Sequence, residues 1–123
     1  MPHLIIEHSS NIKPKSIIKL EKHIQNIMSD VAGNFDPDQC KCRSFSFDEY
    51  LVGRTDQTES SFIHITFKVL SGRSVEVRKN LSQKIIELTE KFFTDLNLPN
   101  KRCDITIDVV EMNRDTYQKI CLQ

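Results

Sequence analysis

The feature that most constrains this 123-residue sequence is a hydrophobic pattern that occurs twice in the same order: a strand-like stretch, a stretch of helical period, and an alternating stretch. Residues 3–8, rich in Leu and Ile, read as a first strand, and Ser9, Ser10 and Asn11 form the turn cluster after it. Ile17, Leu20, Ile24, Ile27, Met28 and Val31 then recur at steps of three and four, with Lys19, Glu21, Lys22 and Gln25 on the opposite side. That spacing predicts an amphipathic helix, stopped by Gly33 and Asn34. From 41 to 50 the chain alternates as a second strand, with Lys41, Arg43, Phe45 and Phe47 on one face and Cys42, Ser44 and Ser46 on the other.

After a polar, turn-like stretch at 53–61, the order begins again. Ile63, Ile65, Phe67 and Val69 alternate with His64, Thr66 and Lys68 as a third strand. Gly72-Arg73-Ser74 makes the turn, Ser74 suits a helix N-cap, and Glu76 complements the positive end of the helix. Val77, Leu81, Ile85, Leu88, Phe92 and Leu96 trace the stripe of a second helix, which Pro99 and its neighbours at 97–100 break. Ile105, Ile107 and Val109 alternate with Asp104, Thr106 and Asp108 in a fourth strand, and 113–123 carries little pattern.

Phe62 follows His3 by 59 residues, so the chain reads as a tandem βαβ repeat within one domain over 1–123, its halves about 1–58 and 59–123. A right-handed crossover in each unit makes its strands parallel. The expected architecture is α/β: a four-stranded mixed sheet with both helices on one face. The uncovered face should include apolar residues, such as Leu or Ile from the first strand, and copies of the chain bury such a face most economically. A domain this small also benefits from a second subunit to wall a water-excluding site.

Charge narrows the function. The 17 Lys+Arg balance 17 Asp+Glu, and the basic residues are scattered, so no broad field steers the chain to nucleic acid and any anion has to be held by local groups. No apolar run approaches the roughly 20 residues that cross a bilayer, and no basic leader opens the chain, which predicts a cytoplasmic protein without a membrane partner. In that reducing compartment Cys40, Cys42, Cys103 and Cys121 are expected as free thiols. Cys40-Lys41-Cys42 lacks the second half of a closed zinc site, and His3, His8, His23 and His64 lack ligand spacing, although His3 and His8 can come near each other on one sheet. The histidines read as ordinary polar residues.

Two blocks carry more specific information. Met1-Pro2-His3-Leu4-Ile5-Ile6-Glu7 is followed by Ser9, Asn11 and Ile12, and Phe62-Ile63-His64-Ile65-Thr66-Phe67-Lys68 runs into Gly72-Arg73-Ser74-Val75-Glu76-Val77-Arg78. With these blocks the chain resembles the tautomerase superfamily and, within it, the 5-carboxymethyl-2-hydroxymuconate delta-isomerase family. The resemblance is specific in the two blocks, weaker at 13–38 and 48–61, and close to absent after 113. It implies a cofactor-free enzyme, usually a homotrimer, whose N-terminal proline is general base and acid in moving a proton within an unsaturated 2-hydroxy or 2-oxo acid.

The chemistry is consistent with the residues. With Met1 removed, Pro2 offers a cyclic secondary amine instead of an amide, and an α-amino group titrates near 7.7–8.0, lower beside cations. Negative charge that develops on the substrate calls for pre-placed donors. Arg73, with a bidentate fork at a helix start, is the candidate for holding and polarising the acid. The resemblance implies a second cation, an arginine near the start of the second strand, where this sequence has Lys41, with Arg43 two residues on and on the same face. Phe45, on that face again, reads as core or subunit contact.

Three activities stay open on these residues. One is an isomerase of a small polycarboxylate enol, with Pro2 and Arg73 catalytic and Lys41 or Arg43 binding substrate. The second is a tautomerase of another enol acid, such as phenylpyruvate. The third is a catalytically silent oligomeric binding protein.

Overall fold

A computed structural model describes residues 2–54, 59–96 and 102–123. Along the chain run β1 (His3–Ser9), α1 (Pro14–Met28), a 3-10 turn (Pro37–Gln39), β2 (Lys41–Phe47), β3 (Ser60–Leu70), α2 (Val75–Leu96) and β4 (Arg102–Met112). The strands form one four-stranded sheet in the order β2-β1-β3-β4. Each βαβ unit is parallel within itself, and the two units join through antiparallel β1 and β3, with His3 opposite Lys68 and His8 opposite Ile63. The sheet is therefore mixed, as the repeat predicts. Among the described residues, no helix is long and apolar enough to cross a membrane.

Local chemistry starts both helices. Pro14 opens α1, where its missing N–H costs nothing and its fixed φ suits the first turn. The Ser74 hydroxyl accepts from the Val77 amide at 3.2 Å at the start of α2. Period two sends Leu4, Ile6, Ile63, Ile65, Phe67 and Val69 to the helix side, where they meet Ile17, Leu20, Ile24, Met28, Leu81 and Ile85, all at most 1% exposed. Each such side chain contributes roughly 1.5–3 kcal/mol on burial, enough to fix the register of the sheet.

Several boundaries move. α1 ends at Met28, so Val31 reaches the core from the loop after it. β2 ends at Phe47 instead of 50, because Tyr50 turns back so that its hydroxyl donates to the Ser60 carbonyl at 3.2 Å. In α2, Phe93 is buried and Phe92 half-buried, and Thr89 enters the core with its hydroxyl satisfied by the Ile85 carbonyl at 2.7 Å. The expected helix break at 97–100, the boundary near 58, the Leu96 side chain and Met1 lie outside the described residues.

The uncovered face carries apolar residues, as expected, among polar ones. Leu4 and Ile6 point inward, and β1 presents His3, Ile5 and Glu7, which lie opposite Lys68, Thr66 and His64 of β3. Its most exposed apolar side chains are on β2, where Phe45 is 54% and Phe47 38% exposed, with Ile5 of β1 and Phe62 of β3 on the same face. His3 and His8 do not approach each other. Five positions apart on one strand they take opposite faces, and His8 is buried with Nδ1 at 2.9 Å from the Ser9 carbonyl.

The C-terminal segment is pinned although its sequence carries little pattern. Asn113 accepts from the amides of Asp115, Thr116 and Tyr117, and Arg114 is tied to Ser71 by its amide on Oγ at 3.0 Å and its Nε on the carbonyl at 2.9 Å.

Candidate active site

Register decides which residues meet. β1 and β2 start, and β3 and β4 finish, at the same end of the sheet. There the Lys41 amide donates to the Pro2 carbonyl at 3.1 Å, and the Ser71 amide to the Met112 carbonyl at 2.8 Å. Residues far apart in sequence, Pro2, Lys41 and the turn that carries Arg73, are thus gathered at one edge. Pro2 is buried and by alternation shares the face of Leu4.

Arg73 is rigidly held. Nε donates to the Gly33 carbonyl at 2.7 Å and Nη1 to that of Leu70 at 3.3 Å, while Nη2 lies 3.5 Å from the Asn34 carbonyl. Its guanidinium carbon is 4.3 Å from the centre of the Phe35 ring, which itself meets Phe67 edge-on. Burial, and then the like charge of Arg114, pull Arg73 below the ordinary guanidinium value. Arg114 lies over Gly72, where a Cβ would come 3.7 Å from its Nε. Nothing in the sequence pattern singles out Arg114; it reaches the site through the turn built on Asn113.

The strand cations occupy the other face. Lys41 Nζ donates to the Gln39 carbonyl at 3.2 Å, whereas Arg43 Nη1 reaches back 3.1 Å to His3 Nδ1. Since a guanidinium can only donate, His3 accepts at Nδ1, and its proton is on Nε2, which donates to the Tyr117 hydroxyl at 3.0 Å. Burial first, then Arg43, Lys41 and Lys68, lower the His3 pKa. His3 and Tyr117 were not among the expected site residues. The adjacency of His3 to Pro2 was the available signal; Tyr117 had none.

Lys41, Arg43, Lys68, Arg73 and Arg114 have no carboxylate partner among the described residues; the ion pairs there are Arg78 with Glu111 and Arg102 with Asp104. A chain with no net charge therefore concentrates positive charge where it begins. Such an edge can hold and polarise an organic acid. A cavity of about 430 Å³ between Phe47, Tyr50 and Phe62 lies at the opposite end of the sheet, and one of about 340 Å³ lies between the helices; neither reaches Pro2.

The model of the 5-carboxymethyl-2-hydroxymuconate isomerase family matches residues 2–121. The chain belongs to this family. It is accordingly an isomerase of tautomerase type, and solved structures agree on its fold. A 5-carboxymethyl-2-hydroxymuconate isomerase from Deinococcus radiodurans R1 superposes with a TM-score of 0.83 at 19% identity, covering 97% of this chain and 88% of that one. A 5-carboxymethyl-2-hydroxymuconate delta-isomerase gives 0.82 at 16% identity, covering 98% and 88%. A fused wild-type 4-OT symmetric trimer gives 0.69 at 13% identity, covering 92% and 88%. No curated protein matches the sequence. In this isomerase the register alone brings the N-terminal proline block and the Gly72-Arg73-Ser74 block to a common edge.

Proposed function

We propose that this isomerase, once Met1 is removed, uses the Pro2 nitrogen to move a proton along an unsaturated 2-hydroxy acid bearing more than one carboxylate, 5-carboxymethyl-2-hydroxymuconate or a close analogue. Neutral Pro2 accepts the proton and protonated Pro2 returns it, so no cofactor takes part. The observation that carries this reading is the cluster of cations, without carboxylate partners among the described residues, at the end of the sheet that holds Pro2. Those charges favour the neutral amine and match a polycarboxylate as its charge develops.

Arg73 takes the first carboxylate, with Arg114 beside it. Arg43 suits the second cationic role better than Lys41, because its guanidinium is directed to His3, next in sequence to Pro2, while Lys41 is turned to Gln39. Arg73 and Arg43 lie on opposite faces of the sheet edge, so we assign the complete site to an assembly in which a second subunit closes over Pro2. The trimeric relative and the exposed Phe45 and Phe47 support a homotrimer. We place the enzyme in the cytoplasm, where four free thiols persist.

The test is a panel of mono-, di- and tricarboxylate enols presented to protein whose intact mass shows loss of Met1. Faster ketonisation of the polycarboxylates is expected. A preference for a monocarboxylate aromatic enol such as phenylpyruvate would overturn the substrate class, and no rate on any enol would overturn the chemistry.

A further inference from the structure

Cys40 and Cys42 flank Lys41, the residue whose amide holds the Pro2 carbonyl. Their sulfurs lie 3.8 Å apart on the helix side of β2, both half-buried at the margin of the core. Cys103 and Cys121 have no second sulfur in reach among the described residues. β2 is an edge strand, and Cys40 lies just outside it, with a strand neighbour on one side only. The backbone around Lys41 can therefore shorten without disturbing a second ladder.

The geometry points to a modification site: Cys40 and Cys42 are a dithiol that hydrogen peroxide converts to an intrachain disulfide, and closing the ring around Lys41 loosens its hold on Pro2. Alternate residues of a strand are about 6.6 Å apart at Cα, near the upper limit of about 6.8 Å for a disulfide. The sulfurs have to close from 3.8 Å to about 2.0 Å, so residues 40–42 have to draw together. A bond made at that limit is readily returned to thiols by a small dithiol.

The roles of the two sulfurs differ. The two sulfurs share a hydrogen bond in which either can donate, and with Cys42 as donor that bond holds the Cys40 thiol below its ordinary range. Cys42 is pushed up by the same bond, then by burial and by the charges of Cys40 and Glu21. In the proposed reaction Cys40, which lies just outside β2, attacks first. Its thiolate attacks one peroxide oxygen, the O–O bond breaks, and hydroxide leaves as Cys40 becomes a sulfenic acid. The Cys42 sulfur then attacks the Cys40 sulfur; the S–O bond breaks, and the departing hydroxide takes the Cys42 proton to leave as water. Two electrons pass from the thiols to one peroxide.

Reduced full-length protein, treated with one equivalent of hydrogen peroxide and alkylated, tests this without an activity assay. Lys41 lies between the two sulfurs, so trypsin cuts inside the ring and leaves two peptides joined by the disulfide alone. The expected result is a mass loss of about 2 Da before alkylation, two alkylated thiols after it, a linked peptide pair that separates on reduction, and loss of hydrogen-exchange protection at the Lys41 amide. Cys42→Ser should give no linked pair and a sulfenic acid at Cys40 that dimedone traps. Four alkylatable thiols after treatment, or a link through Cys103 or Cys121, would overturn the site. A Cys40–Cys42 link with Lys41 protection unchanged would overturn the coupling to Pro2.

Discussion

The guanidinium of Arg73 lies over the Phe35 ring, 4.3 Å from its centre, and so the group proposed to hold the substrate acid is fixed by a residue of the core. Replacing Phe35 by Leu keeps most of the buried volume but removes the stacking face. We expect a stability loss of about 1–2 kcal/mol by urea denaturation. The turnover efficiency kcat/KM should fall by about tenfold, because Arg73 loses orientation while keeping its charge. Unchanged kcat/KM would detach the ring from the site.

Gly33 joins the same unit. Its φ of 122° is a conformation that side chains rarely adopt, and an added Cβ would come within 2.7 Å of Phe35 Cε2 and 2.9 Å of Val77 Cγ1. Its carbonyl also accepts from Arg73. Gly33→Ala should therefore cost about 1–3 kcal/mol in chemical denaturation. A variant as stable as the wild type would mean that the loop shifts freely, and Arg73 would then not be held there.

Arg114 is exposed, and its bonds go to Ser71, so its loss should matter little to the fold. Arg114→Ala is expected to keep stability within about 0.5 kcal/mol. The rate on a polycarboxylate enol should fall by about tenfold, with less effect on a monocarboxylate. Steady-state kinetics on both substrates checks this, and equal losses on the two would remove Arg114 from carboxylate binding.

His3 gives the fold a pH dependence with a defined sign. Its pKa is lowered from 6.5 by burial and by Arg43, Lys41 and Lys68, so the folded chain binds this proton less tightly than the unfolded chain. The contribution is present in full above the unfolded value and declines as pH falls below it toward the folded value. Thermal midpoints at about pH 7.5 and about pH 5.5 should therefore differ more in the wild type than in His3→Gln. Equal differences would show that His3 titrates the same way in both states.

The sheet and both helices were legible because their residues obey two periods: Leu4 and Ile6 alternate with His3 and Ile5, and Ile17, Leu20 and Ile24 recur at helical spacing. The site was legible only as two local blocks. The contact between His3 and Arg43 follows from strand register, which periodicity does not fix across 40 positions. The Arg73 partners at Gly33 and Asn34 come from a loop, where no repeating pattern exists to read. Arg114 and Tyr117 depend on one Asn113 turn and on tertiary contacts to Ser71 and His3. Which apolar residue of the first strand faces outward could not be read from Leu4, Ile5 and Ile6 in succession; pairing with β3 turns Ile5 to the open face and Leu4 and Ile6 to the core.

The most direct test of the account is the ketonisation rate of Pro2→Ala, measured with wild-type protein whose intact mass confirms a free Pro2 amine. A primary amine at that position retains a base but loses the ring that fixes its lone pair, and the account predicts a fall in kcat of at least about a hundredfold with the fold intact. A variant that turns over at the wild-type rate, or a wild type that is fully active with Met1 retained, would contradict the assignment of proton transfer to Pro2.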